Sequence, residues 1–191
     1  KLTLINVVVL QEGDAADFRG WKYFGGNSGA TAKVGGTAAA LYPVMSLRAA
    51  STNDLTKRAR IIPTSVSVTV AVVATGATSL QVALLMLPTP NTAATFAVTP
   101  GGSVTTIDVA ATAATAVTGT AIWQAVIPNV VGTYTFDLKT MNDNANVIGY
   151  NAAGAVAITG PSVLTLACGT LTGTATVAAT VVASLNWKEL V

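Results

Sequence analysis

The sequence SVSVTVAV occupies positions 65–72 and alternates small or hydroxyl-bearing residues with valine. A period of two places every second side chain on the same face of a strand, so the valines face one side together. Valine and threonine also favour extended backbone, because their β-branched side chains suit a pleated surface. We therefore predict a strand with one buried and one solvated face, the usual arrangement in antiparallel sheets.

The same alternation recurs beyond this stretch, most clearly at 80–86, 133–139 and 183–188. No segment has the 3.6-residue periodicity of an amphipathic helix. The predicted fold class is therefore all-β, an antiparallel β-sandwich of the jelly-roll type with an extended N-terminal arm. Shorter runs, separated by turns rich in Gly, Pro and Asn, predict further strands at 3–10, 95–99, 104–110, 120–127, 146–150, 155–159 and 163–168.

Residues 11–42 interrupt the alternation and are rich in Gly, Ala and Asp. We predict a strand followed by an arm or loop over residues 1–42 and the sandwich over 43–191, together forming one compact domain. Aromatic residues cluster between positions 18 and 24. They are interpreted either as interface anchors or as a plug for the open end of their own sandwich. The cluster consists of Phe18, Trp21, Tyr23 and Phe24.

The chain is poor in charged and reactive groups. Charged residues make up 9% of its 191 residues, against about 25% in a typical soluble domain. There is no histidine and one cysteine, which excludes a disulfide scaffold, a Cys/His zinc site and a His-based triad. One charge per roughly 470 Å² of surface predicts coverage by other subunits or a coat of Thr, Ser and Ala. We expect no enzyme activity, no catalytic residue, no cofactor and no metal site.

Three motifs resemble known sites, but each lacks a required part. The glycine-rich residues 25–33 lack the Gly-Lys-Ser/Thr order of a phosphate loop, and residues 142–146 lack the Gly and Glu of an EF-hand. No pattern brings two carboxylates together as a glycosidase requires. A flexible connection and a polar turn are the favoured interpretations of the two loops, and Asp137 is expected to face solvent because it alternates with the apolar face of its strand. The carboxylates in question are Asp108, Asp137, Asp143 and Glu189.

A basic cluster precedes the strand at 65–72 and contains no aromatic interleaving and no nucleic-acid motif. It is interpreted either as a solvated strand entry or as a patch that faces an acidic surface of another subunit. Positions 61–107 hold no charge, and strands so bare favour contact with copies of the same chain. The net charge of +2 is too small to favour a nucleic-acid or membrane partner. The cluster consists of Arg48, Lys57, Arg58 and Arg60.

Neither a transmembrane helix nor a signal peptide is predicted. Thr, Ser, Gly and Pro interrupt every apolar run before it reaches spanning length, and Lys1 leads directly into a short strand-like run. Cys168 lies alone in an apolar run, which is typical of a buried free thiol and of synthesis in a reducing compartment.

Several segments resemble bacteriophage virion proteins. PVMSLR at 43–48 and RARIIPTSV at 58–66 are similar to a Ser-Leu-Arg strand that leads through an Arg-containing hairpin to an Ile-Pro-x-Ser strand. ASLNWKE at 183–189 resembles their last strand, and residues 100–110 match the middle of the same pattern. The resemblance implies a β-sandwich virion component, often trimeric. Among such proteins, a capsid cement (decoration) protein suits this chain length best.

The expected function is accordingly that of a trimeric cement protein on the outside of a tailed-phage capsid. It would be made in the host cytoplasm and bind the major capsid protein, with no membrane and no direct nucleic-acid contact. Two alternatives remain: a single-jelly-roll shell protein, or the receptor-binding knob of a tail fibre. The expected interface combines the arm's aromatics as anchors with the basic cluster as a steering patch: Phe18, Trp21, Tyr23, Phe24, Arg48, Lys57, Arg58 and Arg60.

Overall fold

The computed structural model of the chain describes residues 21–26, 32–36, 39–49, 60–87, 96, 105–108, 116–138, 148–149, 163–171 and 175–190. The regular elements within these ranges are all strands, which confirms the all-β prediction. Their bounds are β1 Trp21–Gly26, β2 Ala32–Gly36, β3 Tyr42–Ala49, β4 Arg60–Val72, β5 Ser79–Leu87, β6 Thr105–Asp108, β7 Thr120–Pro128, β8 Gly132–Asp137, β9 Ile148–Gly149, β10 Val163–Thr170 and β11 Ala175–Leu190.

Two antiparallel sheets face each other. Sheet A has the order β1-β11-β4-β8, with β2 also beside β11 and β9 beside β4; sheet B has the order β6-β3-β10-β5-β7. Four nested pairs run through both sheets: β5 with β7, β4 with β8, β3 with β10, and β1 with β11. A nested antiparallel ribbon that folds over itself, so that alternate pairs fall in opposite sheets, is a jelly roll. The predicted sandwich is therefore confirmed. In the described part of the chain, no helix is long and apolar enough to cross a membrane.

The core lies between the sheets and follows the alternation of β4. Val66, Val68 and Val70 are fully buried, whereas the intervening hydroxyl-bearing residues point outward. The alternation predicts the same burial for Val72, but half of that side chain is exposed. The register with β11 shifts at this point, so β4 leaves the sandwich with its last valine facing outward. Trp187 of β11 is the largest fully buried side chain of the core.

The centre of sheet B, at β10, is covered on both of its faces. Every residue of β10 is buried, because its second face packs under a smaller cluster to which Phe96 and Val117 contribute. On this face Ser46 and Thr165 share a hydrogen bond of 2.8 Å, which satisfies two buried hydroxyls. The chain's own segments therefore cover the outer face of sheet B over β10, while Gln124 and Val126 of β7 stay exposed.

Two strands lie in the segment where the sequence pattern predicts an arm or loop. β1 pairs with the C-terminal half of β11, and β2 pairs with its N-terminal half. Both form one edge of sheet A, where backbone pairing to a long neighbour does not require alternation of their own side chains. The strands predicted at 3–10 and 155–159 lie outside the described residues, and Phe96, within the predicted 95–99, is not in a strand.

Candidate interaction surface

The one thiol of the chain is unsuited to chemistry. Cys168 lies on β10 with none of its surface exposed, and desolvation by burial raises its pKa to about 12. The thiolate, which is the reactive form, is therefore almost absent at neutral pH. In the described ranges, no three His, Cys, Asp or Glu side chains are grouped so as to hold a metal ion.

The outer face of sheet A is lined by polar side chains that hydrogen-bond with one another across the strands. Ser67 bonds Thr135 at 2.9 Å and Thr69 bonds Thr133 at 2.9 Å, both between β4 and β8. On the other side of β4, the Asn186 amide donates to the Ser65 hydroxyl at 2.8 Å. Cross-strand pairs of this kind stabilise a sheet and keep its open face polar. This coat explains how so few charges suffice on this face.

Charged residues gather at one end of the sandwich, which we call the charged end. There β4 begins, β8 ends and β11 ends, as the pairings of Arg60 with Leu190 and of Ser65 with Asp137 show. Among the described charged residues, Lys33 of β2 is the exception and lies toward the opposite end. Its backbone pairs with Thr180, which pairs on its other side with Val72 at the end of β4. The residues in the half of the molecule toward the charged end are Lys22, Arg48, Arg60, Asp108, Asp137, Lys188 and Glu189.

The charged end also collects part of the interface expected from the sequence. The β1 backbone begins there, because Trp21 pairs with Glu189, which pairs on its other side with Ile61. The guanidinium of Arg48 lies 4.2 Å from the centre of the Phe96 ring, a cation–π contact that holds this half-buried side chain on sheet B.

The remaining expected interface residues divide into two groups. The backbones of Tyr23 and Phe24 continue β1 beside β11, while Phe18, Lys57 and Arg58 lie outside the described residues. Of the four carboxylates considered for a glycosidase, Asp137 is exposed on β8, as the alternation predicts, and Asp143 lies outside the described residues.

The opposite end, which we call the valine end, exposes aliphatic side chains. It is formed by the β4–β5 connection, the β7–β8 connection and the start of β11. None of the residues in these three segments is ionisable. The exposed fractions are 50% for Val72, 39% for Val73, 57% for Val130, 65% for Val131 and 55% for Val177.

Asn129 joins two of the three segments of the valine end. Its side-chain oxygen accepts a hydrogen bond from the Ala74 backbone N–H at 2.9 Å, and its amide donates to the carbonyls of Ala74 at 2.7 Å and Ala77 at 2.9 Å. An amide side chain offers both donors and acceptors, so it can replace a neighbouring strand for a backbone that has left the sheet.

Thr75 joins the β4–β5 connection to the third segment. Its N–H donates to the Val177 carbonyl at 3.0 Å, and its carbonyl accepts from the Thr176 N–H at 2.9 Å. Gly76, which follows, has a φ of 90°, a conformation that favours glycine and closes the turn predicted from Thr-Gly-Ala-Thr. The valine end is thus a cross-linked surface.

The valine end is the feature that sequence analysis missed. Two Val-Val pairs beside turn residues, at 72–73 and 130–131, are its only sequence signal. No protein-family profile matches the chain, and neither a curated protein sequence nor a solved structure matches it.

Proposed function

We propose that this chain is a structural component of a virus particle, a trimeric cement protein that binds the outside of a phage capsid. The observation that supports it best is the separation of two surfaces on one sandwich: one half holds every described charged residue except Lys33, and the three exposed segments of the valine end hold none. Surfaces of two different chemistries at opposite ends suit a protein that contacts two kinds of neighbour. Contact, rather than catalysis, also agrees with the buried thiol.

In this proposal the charged end approaches the shell. That half holds four basic and three acidic described residues, and Arg48, Arg60 and Lys188 would supply the positive groups that meet acidic positions of the shell. Because the cement binds the assembled shell and not its separate subunits, it stabilises the assembly by mass action. At a free concentration one hundred times the dissociation constant, each bound site contributes about 2.7 kcal/mol.

A second candidate is a shell protein that builds the particle itself. The complete jelly-roll order of the two sheets favours it, since single jelly rolls are a common architecture of viral capsids. A shell protein forms closed particles from the purified chain alone. A cement protein binds particles that another protein has made.

The test is to mix the purified chain with empty phage capsids and measure co-sedimentation at about 50 and 300 mM salt. Binding that weakens at the higher salt is expected, because charged surfaces are screened. Charge reversal by Arg48→Glu with Lys188→Glu should weaken binding, whereas Gln81→Glu, on sheet B, serves as the control. Absence of capsid binding together with closed particles in electron micrographs would select the shell protein instead. Glycan binding without capsid binding would select the tail-fibre knob.

Truncation at residue 20 tests the arm in the same assay. A longer truncation, to residue 42, would also remove β1 and β2 from sheet A. Full capsid occupancy by the truncated chain would exclude residues 1–20 from the contact.

A further inference from the structure

The valine end has more exposed apolar surface than its role in folding explains. Val130 and Val131 project from the β7–β8 connection, where a tight turn needs neither side chain. Exposed aliphatic groups that are scattered singly are ordinary, but groups collected on adjacent segments mark an interaction surface.

We propose that copies of this chain associate with one another through their valine ends. The three aliphatic segments require a partner surface without unpaired charge, since burying such a charge against them would be costly. The chain provides such a partner in its own valine end, whose three segments contain no ionisable residue. A lipid surface is the alternative that the test decides, because two residue types common in membrane-binding tips border these segments: the Tyr134 hydroxyl donates to the Val130 carbonyl at 3.3 Å, and Lys33 pairs with Thr180 beside Val72.

The hydrogen bonds between the three segments favour association, because the segments are already fixed and lose little conformational entropy on binding. The Asn129 side chain and the backbone of Thr75 already join the three segments through hydrogen bonds of 2.7 to 3.0 Å. Loops that are held before contact lose less conformational entropy when the contact forms.

The exposed area sets the expected strength. With the exposed fractions given above, the five valines present on the order of 200–300 Å² of apolar surface per copy. Small specific interfaces bury up to about 600 Å² per partner, so the valines supply the apolar centre of an interface at the low end of the range. We therefore expect an association that depends on concentration and is strengthened when copies are held close together, as on a shell.

This inference rests on the homo-oligomer of the proposed function but does not require the capsid. The first experiment measures the mass of the purified chain by analytical ultracentrifugation from about 1 to 100 µM, a span that covers weak interfaces. Val130→Lys and Val131→Lys are compared with Val126→Lys, a matched control. Val126 is 56% exposed but lies within β7, in sheet B. We expect the first two variants to weaken association at least about tenfold and the control to leave it unchanged.

The second experiment introduces a reactive thiol, which is possible because the native one is buried. Because Cys168 is inaccessible, Val131→Cys places a single reactive thiol at the valine end, and Val126→Cys places one on β7. A short bismaleimide should link two copies through position 131 and not through position 126. Circular dichroism and melting temperature establish that each variant is folded.

Three results would overturn the inference: a monomeric wild-type chain over the whole concentration range, an association equally sensitive at positions 126 and 131, or cross-linking at 126 alone. Liposome binding by the wild-type chain without self-association would replace it by a membrane contact. Capsid binding is measured separately on the same variants. A chain that binds capsids but associates independently of position 131 would support the cement proposal and overturn this interface. A chain that associates through position 131 but does not bind capsids would support this interface and overturn the cement proposal.

Discussion

Replacing Asn129 by alanine should loosen the valine end and destabilise the domain. The side chain makes three hydrogen bonds with the β4–β5 connection, at 2.7, 2.9 and 2.9 Å, in a partly buried position. A net contribution of about 0.5–1.5 kcal/mol for each gives a loss of about 2–3 kcal/mol, allowing for the partial burial. For a domain of this size that corresponds to a fall of roughly 5–10 °C in melting temperature.

Asn129→Asp tests the hydrogen bonds alone, because aspartate has nearly the shape of asparagine but lacks its amide donor. Aspartate keeps an acceptor for the Ala74 N–H, but at neutral pH it turns a negative oxygen toward the carbonyls of Ala74 and Ala77. We expect Asn129→Asp to be less stable than Asn129→Ala at pH 7. The Asn129→Ala variant should also associate more weakly, because its valines are no longer held before contact.

The assay is urea unfolding followed by tryptophan fluorescence, at a protein concentration where the chain is a single species. Gln124→Ala is the control, since this exposed side chain makes one longer bond, of 3.2 Å, to Gln81. It should change stability by less than about 0.5 kcal/mol. If Asn129→Ala also stays within that limit, the backbone bonds alone hold the connections and the reasoning about the side chain is wrong.

Three further predictions concern sheets and core. A Cβ at Gly169 would overlap a backbone carbonyl just before β3, so Gly169→Ala should lower the free energy of unfolding by at least about 1–3 kcal/mol. A Cβ at Gly132 would meet its nearest neighbour atom at 3.6 Å, so Gly132→Ala should be neutral or slightly stabilising. Thermal melts of the two variants test both expectations. Ser46→Ala should cost about 1–3 kcal/mol by leaving the buried Thr165 hydroxyl without its partner, and adding Thr165→Val should recover part of that loss; a double variant weaker than the single one would contradict this explanation. Burial raises the pKa of Cys168 from 9.0 to about 12, so in the unfolded chain the thiol ionises first and stability falls above pH 9, by roughly 1 kcal/mol per unit. The stability difference between wild type and Cys168→Ala should therefore shrink between pH 8 and pH 10 under reducing conditions; an unchanged difference would show that the thiol does not contribute.

The alternations at 65–72, 80–86, 133–139 and 183–188 together predict the all-β fold, because in a strand with one buried face the residue type at each position reflects its burial; Val72, where β4 leaves the sandwich, is the exception. The sequence of β10 predicts a strand less clearly, because a strand with two buried faces has no alternation. Its sequence VLTLACGT is buried on both faces and so has no regular alternation of polar and apolar residues. β1 and β2 were not recognised as strands of sheet A, since their Gly-containing sequences pair through the backbone with a long neighbour that sequence alone does not identify.

The valine end could not be predicted because it depends on contacts between distant segments. Residues 72–73, 130–131 and 177 become neighbours only through the order of the strands. The basic cluster was visible as charge along the chain. The register was needed to place Arg60 and Lys188 in the same half of the molecule. Local pattern thus predicts which face of a strand is buried, while surfaces assembled from several turns require the topology.

The nesting of strand pairs determines when during synthesis this protein is able to fold. β11 lies between β1 and β4, so β1 has no partner strand in sheet A until this sixteen-residue strand is made, and until then β4 is paired only on the side of β8 and β9. On a ribosome, β1 and β3 leave the exit tunnel long before β10 and β11 do. The edges that β1 and β3 offer to β11 and β10 stay unpaired over that interval, and exposed strand edges favour protection by a chaperone until β10 and β11 are made.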